Sequence, residues 1–305
     1  MNKLLVIVGA TAVGKTRLSL AIAQRFDGEI VSADSRLFYR GMDIGTAKPT
    51  PEEQALVPHH LIDICEPDQT LTLGTYQAMA YGVIDLVLTN GRLPILVGGT
   101  GQYVKAVIEG WGIPEVAPQP ALRAVLEQIE VSELARWLQL LDPNAAERLD
   151  LNNGRRLVRA LEVTLVSGIP ISTLQTKTPP PYDICMLGLQ RERSRLYARI
   201  DLRVDNMMTA GLLAEVKGLL AAGYGSRTPA MTGLGYRQLL THLNGEMTLD
   251  TAIERIKFET HRFARQQNNW FHRSDENITW FDMDVAGVET AVVTFVHNWL
   301  NNGQP

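Results

Sequence analysis

A glycine-rich motif close to the start of the chain constrains its fold more than any other feature. The motif matches the pattern G-x-x-x-x-G-K-[ST] at every position. A short apolar run, Leu4–Val8, precedes it, and the apolar residues of Lys15–Arg25 after it have helical spacing. A buried strand, a tight loop and a helix in that order are the context in which this motif binds phosphate. The loop residues are Gly9, Ala10, Thr11, Ala12, Val13, Gly14, Lys15 and Thr16.

The residue types in this loop explain why it predicts a diphosphate or nucleotide site. Glycine lets the backbone turn so that its N–H groups point at phosphate oxygens. The start of the following helix adds a partial positive charge. Lys15 supplies a full charge, and the Thr16 hydroxyl can bind Mg²⁺. The loop would ordinarily suggest ATP, but it does not require hydrolysis of a nucleoside triphosphate.

Further apolar runs alternate with helical patterns along the chain. This alternation predicts an α/β fold, a P-loop NTPase-like parallel sheet flanked by helices. We expect strands over Leu4–Val8, Glu29–Ala33, Leu93–Val97, Ile184–Leu189 and Ile278–Phe281. We expect long helices over Gly74–Leu88, Ser194–Ala222 and Leu249–Trp270.

The middle of the chain lacks the strand pattern. Three prolines in Pro114–Pro120 suggest a linker. Helical patterns follow over Ala121–Leu141, Ala145–Leu149 and Arg155–Val166, and the proline run 179–181 closes the region. We therefore predict a core domain of residues 1–115 and 183–305, with a helical insertion domain at 116–182.

Three loops should meet at one edge of the sheet, because ligands in parallel sheets bind at the carboxyl ends of the strands. They are the phosphate loop, Asp34–Ser35 and Gly98–Gly101. Asp34 can be a Mg²⁺ ligand, a general base or a turn residue. Thr100 can bond a substrate or simply belong to a tight turn. The Leu93–Val97 strand ends in glycines rather than in the acid that an NTPase needs, so the first loop could hold a leaving pyrophosphate.

Composition and charge indicate the cellular compartment and the kind of partner that we expect for this chain. Two cysteines form no disulfide framework, and isolated thiols are typical of a reducing compartment. Without an apolar run of about 18 residues we expect no membrane span, and we expect a cytoplasmic monomer. The net charge is −4, yet residues 184–273 hold 13 Lys and Arg against 8 Asp and Glu. That excess fits a polyanion-binding face or an ordinary solvated surface.

Several strings, in order over most of the chain, resemble the tRNA dimethylallyltransferases, also called tRNA isopentenyl-pyrophosphate transferases. The most specific is Tyr39–Pro49, which reads YRGMDIGTAKP. The others are the phosphate loop, Ser32–Ser35, Pro58–Asp63, Gly98–Tyr103, Arg159–Val163, Gly235–Gln238 and Arg262–Phe271. The chain ends soon after the last predicted strand without a zinc-finger extension, which favours the bacterial type of this family.

The resemblance implies transfer of a dimethylallyl group from dimethylallyl diphosphate to N6 of adenine 37. This adenine lies beside the anticodon in tRNAs that read codons starting with U. The phosphate loop would hold the diphosphate with Mg²⁺, Lys15 would assist catalysis, Asp34 would be the base, and Thr100 would bond the substrate. Contact with the tRNA anticodon stem-loop would involve Asp34, Ser35, Arg36, Leu37, Thr100, Arg123, Arg159 and Arg237.

The chain departs from the family pattern at several positions, and parts of its sequence are compatible with other functions. A common form of the C-terminal motif has a basic residue and a threonine where this chain has Gln266 and Asn269. After the Asp-Ser pair many relatives have methionine or alanine and then glutamine or leucine, whereas this chain has Arg36 and Leu37. The alternatives are an isopentenyltransferase acting on free AMP, a P-loop small-molecule kinase, and an NTP-dependent RNA-binding switch without enzymatic activity.

Overall fold

The computed structural model describes residues 2–302, and these contain a six-stranded parallel sheet. Its strands are β1 (Lys3–Gly9), β2 (Gly28–Ser32), β3 (His59–His60), β4 (Leu93–Gly98), β5 (Asp183–Gln190) and β6 (Ile278–Asp282). Their order across the sheet is β3-β2-β4-β1-β5-β6. The predicted α/β fold with a parallel sheet is confirmed. The short strand β3 was not predicted, because two histidines carry no apolar signal.

Fourteen α-helices occur in the described residues. In chain order they are α1 (Lys15–Arg25), α2 (Pro51–Leu56), α3 (Leu73–Thr89), α4 (Gly101–Glu109), α5 (Pro120–Leu126), α6 (Val131–Leu141), α7 (Pro143–Arg148), α8 (Gly154–Ser167), α9 (Ile171–Leu174), α10 (Arg193–Thr209), α11 (Leu212–Ala221), α12 (Tyr236–Leu243), α13 (Leu249–Gln267) and α14 (Val288–Asn301). Among the described residues, no helix is both long enough and apolar enough to cross a membrane.

The sheet is buried because helices cover it. Every residue of β1 is buried, as expected for a strand in the middle of a parallel sheet. Leu5 and Ile7 point to a core shared with α1, α10 and α14. Helix α3 contacts β2 and β4 and buries Tyr76 and Ile84. This packing fixes the strand ends from which the loops of the site emerge.

The helix predicted over Ser194–Ala222 is in fact two helices, α10 and α11. Gly211 lies between them with φ +103°, a left-handed conformation that ends a helix and favours glycine. The apolar stripe continues through Leu212 and Val216, so periodicity alone hides the break. In the same way, the helix predicted over Ala121–Leu141 divides into α5 and α6.

Contacts divide the chain into two compact units. One runs up to Val104 and resumes at Pro181; the other is Lys105–Pro180 and contains α5 to α9 around its own apolar core. Residues 105–115, which the prediction assigned to the sheet domain, belong to the helical unit. The backbone hydrogen bonds from Gly112 to Thr176 (2.8 Å) and from Thr178 to Gly110 (2.8 Å) explain this, because they join the start of that unit to its end. Its contact with tRNA stays a prediction.

Candidate active site

The three loops predicted to meet at one edge of the sheet do lie together. Strands β2, β4 and β1 are parallel neighbours, so their carboxyl ends share an edge. The first loop, Gly9–Thr16, follows β1. Asp34 follows β2, and the second loop, Gly98–Gly101, spans the end of β4 and the start of α4.

Backbone conformation explains the glycines of the first loop. Gly9 has φ +146° and Gly14 has φ +119°, which residues with a side chain rarely adopt. A Cβ on Gly9 would also lie 2.6 Å from the carbonyl oxygen of Leu189. Ala12 has φ +62° as well, a strained conformation for a residue other than glycine. The loop is therefore a tight turn that leads directly into α1.

Lys15 turns back over the first loop. Its Nζ donates hydrogen bonds to the carbonyl oxygens of Gly9 (2.9 Å) and Ala10 (3.0 Å). Burial lowers the pKa of Lys15 to about 8, partly offset by the attraction of Asp34 and reinforced by the repulsion of Arg203. The ammonium group is thus a poorly hydrated cation next to a carboxylate, and an anionic ligand would raise its pKa again.

Ser35, which follows Asp34 in the chain, is hydrogen-bonded to Thr100 of the second loop. One carboxylate oxygen of Asp34 accepts the backbone N–H of Arg36 (3.0 Å), as in the turn that the sequence allowed. The hydroxyl of Thr100 accepts the backbone N–H of Ser35 (3.3 Å). One oxygen of Asp34 therefore stabilises the turn, and the bond from Ser35 to Thr100 connects this turn to the second loop.

Two cavities, of about 820 and 920 Å³, open at this edge of the sheet. The larger is lined by Lys15 and Thr16 of the first loop and by Leu37, while the smaller is lined by Ser35, Arg36 and Thr100. Seven residues line both cavities: Thr11, Asp34, Thr46, Arg203, Met207, Phe263 and Gln267. A ligand in one cavity and a ligand in the other would meet at Asp34.

The smaller cavity has an aromatic and basic wall that belongs to α13 and the residues just after it. Arg255 and Arg262 are exposed there, together with Phe258 (64% exposed) and Phe263 (39% exposed). Trp270 also lines it. Exposed aromatic rings beside arginines form a surface that suits stacked bases and phosphates.

Three arginines near the first loop were not singled out from the sequence. Arg191 and Arg199 donate to the carbonyl oxygens of Val13 and Ala12, each at 3.0 Å. Arg203 lies nearer Asp34 and donates to the carbonyl oxygen of Thr46 (3.3 Å); burial lowers the pKa of Arg203, and the Asp34 carboxylate opposes that shift. For Arg199 and Arg203 the available signal was the four-residue spacing 195, 199, 203, which places these arginines along one side of α10; Arg191 precedes that helix.

The family-specific string Tyr39–Pro49 forms a loop that lines both cavities. Its backbone is held by Glu215 of α11, whose carboxylate accepts N–H bonds from Asp43 (2.9 Å), Ile44 (2.7 Å) and Gly45 (3.1 Å). The Tyr236 hydroxyl donates to the same carboxylate at 2.6 Å, and burial raises the pKa of this tyrosine. Four donors on one carboxylate make this a rigid wall.

Two arginines predicted to contact tRNA are engaged within the helical unit. Arg123 binds the fully buried Glu162 through two hydrogen bonds of 2.7 Å, and Arg159 binds it at 2.6 Å. Burial alone would raise the pKa of Glu162, but these bonds and one from the Gln119 amide lower it to about 2. Both side chains remain about one third exposed, so contact of Arg123 and Arg159 with tRNA stays a prediction.

Arg237, the third predicted arginine, lies in the sheet-containing unit and lines the smaller cavity. It is exposed and forms an ion pair with Glu259 of α13. Glu259 is mostly buried and also accepts hydrogen bonds from Gln238 and Arg255, so it keeps two partners if Arg237 turns to a phosphate.

The larger cavity contains side chains that suit Mg²⁺. Thr16 has an exposed hydroxyl, and the carboxylate of Asp34 lines the same cavity. Within residues 2–302 no cluster of three or more His, Cys, Asp or Glu could hold a metal ion alone. Mg²⁺ commonly binds through one or two protein oxygens, substrate phosphates and water, and this donor set fits that pattern.

Fold and site together define an α/β protein with a parallel sheet, in which a glycine-rich loop with a lysine and neighbouring arginines lies next to a basic, aromatic cavity. A family model described as IPP transferase matches residues 37–274. A tRNA dimethylallyltransferase of Roseiflexus is 50% identical over 305 residues, which cover 99% of this chain and all of that protein. One from Herpetosiphon aurantiacus is 55% identical over 280 residues, covering 90% and 89%. This chain belongs to the IPP transferase family.

Solved structures agree with this assignment. The tRNA isopentenylpyrophosphate transferase of Bacillus halodurans is 41% identical, with a TM-score of 0.73 and coverage of 99% of this chain and 96% of that one. A eukaryotic dimethylallyltransferase acting on tRNA is 25% identical, with a TM-score of 0.87 and coverage of 99% and 80%. The prenyltransferase family expected from the sequence strings is confirmed.

Proposed function

We propose that this enzyme transfers the dimethylallyl group of dimethylallyl diphosphate to N6 of adenine 37, beside the anticodon of tRNAs that read codons starting with U. The observation that carries the proposal is the position of Asp34, which lines both cavities. One cavity has the cations that a diphosphate needs. The other has the aromatic and basic wall that an RNA base needs.

The larger cavity is the proposed site of the diphosphate. Lys15, the amides of the first loop and Arg203 surround the place where negative charge grows as the carbon–oxygen bond breaks. Stabilising that charge with one positioned donor is typically worth ~3–4 kcal/mol. Mg²⁺ held by Thr16 and by the diphosphate oxygens would add Lewis-acid stabilisation of the leaving group. Diphosphate is the product that remains at this loop.

Asp34 is the proposed general base. The exocyclic amine of adenine is a weak nucleophile, because its lone pair is delocalised into the ring. As N6 bonds to the allylic carbon, the bond from that carbon to the diphosphate oxygen breaks and one N6 proton passes to the Asp34 carboxylate. A role of Asp34 as a Mg²⁺ ligand is the alternative, and the two roles predict different effects of Asp34→Asn on the Mg²⁺ requirement.

The smaller cavity is the proposed entry for the target adenine. A base in a folded anticodon loop is reached only when it leaves its stack, and enzymes hold such a base between apolar or aromatic side chains. Phe258, Phe263 and Trp270 offer such side chains, while Arg255 and Arg262 offer charge to the neighbouring phosphates. Arg36 and Thr100 line the same cavity, where they can bond the base or its ribose.

A transfer assay tests the proposal. Purified protein is incubated with Mg²⁺ and labelled dimethylallyl diphosphate, together with an unmodified tRNA that carries adenine at position 37. The control tRNA has guanine at that position. We expect N6-isopentenyladenosine in the digest of the first RNA and no label in the second. Modification of free AMP instead, or consumption of ATP without labelled RNA, would contradict the proposal.

A further inference from the structure

The last residue of α13, Gln267, joins the two glycine-rich loops through both ends of its side-chain amide. Its Oε1 accepts the backbone N–H of Thr11 in the first loop at 2.8 Å. Its Nε2 donates to the carbonyl oxygen of Gly99 in the second loop at 2.9 Å. The residue is 7% exposed, so little water competes for either bond.

The second loop is shaped to receive this helix end. A Cβ on Gly99 would lie 2.3 Å from Nε2 of Gln267, and a Cβ on Gly101 would lie 2.1 Å from Cγ of Trp270. Neither glycine has a positive φ, so both are required for space rather than for conformation. Gly99 and Gly101 are therefore in contact with the last residue of α13 and with Trp270 just after it.

We propose that Gln267 is a positioning residue that sets the distance between the diphosphate loop and the loop carrying Thr100. This inference rests on the proposed allyl transfer, in which the leaving oxygen lies at the first loop and the attacking N6 lies beside the second. The amide of Gln267 is a spacer of fixed length between them, with one donor and one acceptor already aligned. It touches the two loops and leaves the proton transfer to Asp34.

The distance matters because the two reactants must meet within about 3–3.5 Å, and a displacement of about 1 Å can reduce the rate ~10²-fold. A side chain that made only one of the two bonds would leave one loop free to shift. The rate of the chemical step should then fall, while the affinity for tRNA should change little, because the aromatic and basic wall of α13 is intact.

Two variants separate the two bonds. Gln267→Leu removes both, and Gln267→Glu keeps the shape but loses the donor to Gly99 when the carboxyl group is ionised. A protonated glutamate has one O–H donor and one acceptor, as the amide does. Burial and the facing carbonyl oxygen of Gly99 favour this neutral form, whereas the nearby Lys15 ammonium and the N–H of Thr11 favour the ionised form. The matched control is Asn268→Asp, the same amide-to-acid change at the next residue, which is exposed.

The measurement is the single-turnover rate with enzyme in excess over tRNA and with saturating dimethylallyl diphosphate, from pH 6 to pH 8.5. Relative to wild type at the same pH, Gln267→Glu should be about 10²-fold slower at pH 8.5, where its carboxyl group is ionised, and any recovery toward pH 6 should follow protonation of that group. Gln267→Leu should be slow at every pH, and Asn268→Asp should match wild type throughout. The Kd for tRNA should stay within about threefold of the wild-type value, because these variants leave the proposed RNA contacts in place.

Each other outcome is decisive. A purely structural role would lower the melting temperature and the amount of active enzyme but leave the single-turnover rate of the folded fraction unchanged, which would overturn the proposal. A wild-type rate in Gln267→Leu at any pH, or in Gln267→Glu at pH 8.5, would overturn it too. If wild-type enzyme itself transfers no label to tRNA, the proposed function fails and this inference falls with it.

Discussion

The two glycine-rich loops of the site have similar compositions and different reasons for their glycines. In the first, Gly14 adopts φ +119°, and the nearest atoms to an added Cβ lie 3.8 Å away. In the second, Gly99 has an ordinary φ, but an added Cβ would lie 2.3 Å from Gln267. Gly14 is therefore needed for its backbone conformation, and Gly99 is needed for close packing against α13, while Gly9 of the first loop meets both requirements. The first loop contains the charged residue Lys15, whereas the second loop fixes the position of Thr100.

Asp34, which lies between the two loops, should give the largest effect. Asp34→Asn keeps the size of the side chain and removes the base, so kcat should fall by about 10²–10⁴. The KM for tRNA should change little if the residue acts on the proton. A change confined to KM would contradict the assignment and would make the residue a binding group instead. A parallel increase in the Mg²⁺ concentration needed for half-maximal rate would favour the role of metal ligand.

Loss of charge from the first loop should come next. Lys15→Met should lower kcat by about 10²–10³, since one positioned donor to the leaving group is lost. It should also weaken binding of inorganic pyrophosphate, measured by calorimetry. Lys217→Met is the control, because Lys217 is an exposed lysine outside both cavities. Equal effects of the two substitutions would mean that net charge, rather than the loop, is responsible.

A pair of glycine substitutions tests the comparison itself. Gly14→Ala should lower the free energy of unfolding by about 1–2 kcal/mol through its left-handed backbone. Gly99→Ala should lower it by about 1–3 kcal/mol through overpacking against Gln267. The two differ in a Gln267→Ala background, where Gly99→Ala should cost clearly less and Gly14→Ala should cost the same.

Chemical denaturation of the single and double variants measures this coupling. Because each cycle isolates a pairwise term, the expected result is a coupling free energy for Gly99 with Gln267 and none for Gly14 with Gln267. Coupling of similar size in both cycles would break the distinction between a conformational glycine and a packing glycine.

The sequence predicted the elements whose signals are local. The first loop, with Lys15 and Thr16, follows from one motif, and β1, β4 and β5 follow from apolar runs. The residues that hold the rest of the site in place form hydrogen bonds with residues far away in the sequence. Gln267 bonds Gly99, which is 168 positions away, and Glu215 bonds the Asp43–Gly45 backbone about as far away. No periodicity or spacing encodes such a pairing, because it exists only when the sheet brings its strand ends together.

The smallest expected effect concerns the proton on Lys15, whose pKa burial lowers to about 8. In free enzyme the lysine is charged below pH 8 and loses its charge above it, so the affinity for pyrophosphate should fall as pH rises through 8. Relative to Lys15→Arg, which stays charged, wild-type affinity should drop by about fivefold between pH 8 and pH 9. Binding above pH 8 should also take up a proton, which calorimetry in buffers of different ionisation enthalpy detects. Parallel pH profiles for the two proteins would mean that pyrophosphate binding does not depend on the charge of Lys15. The first loop would then differ from the second in its backbone amides and not in its charge.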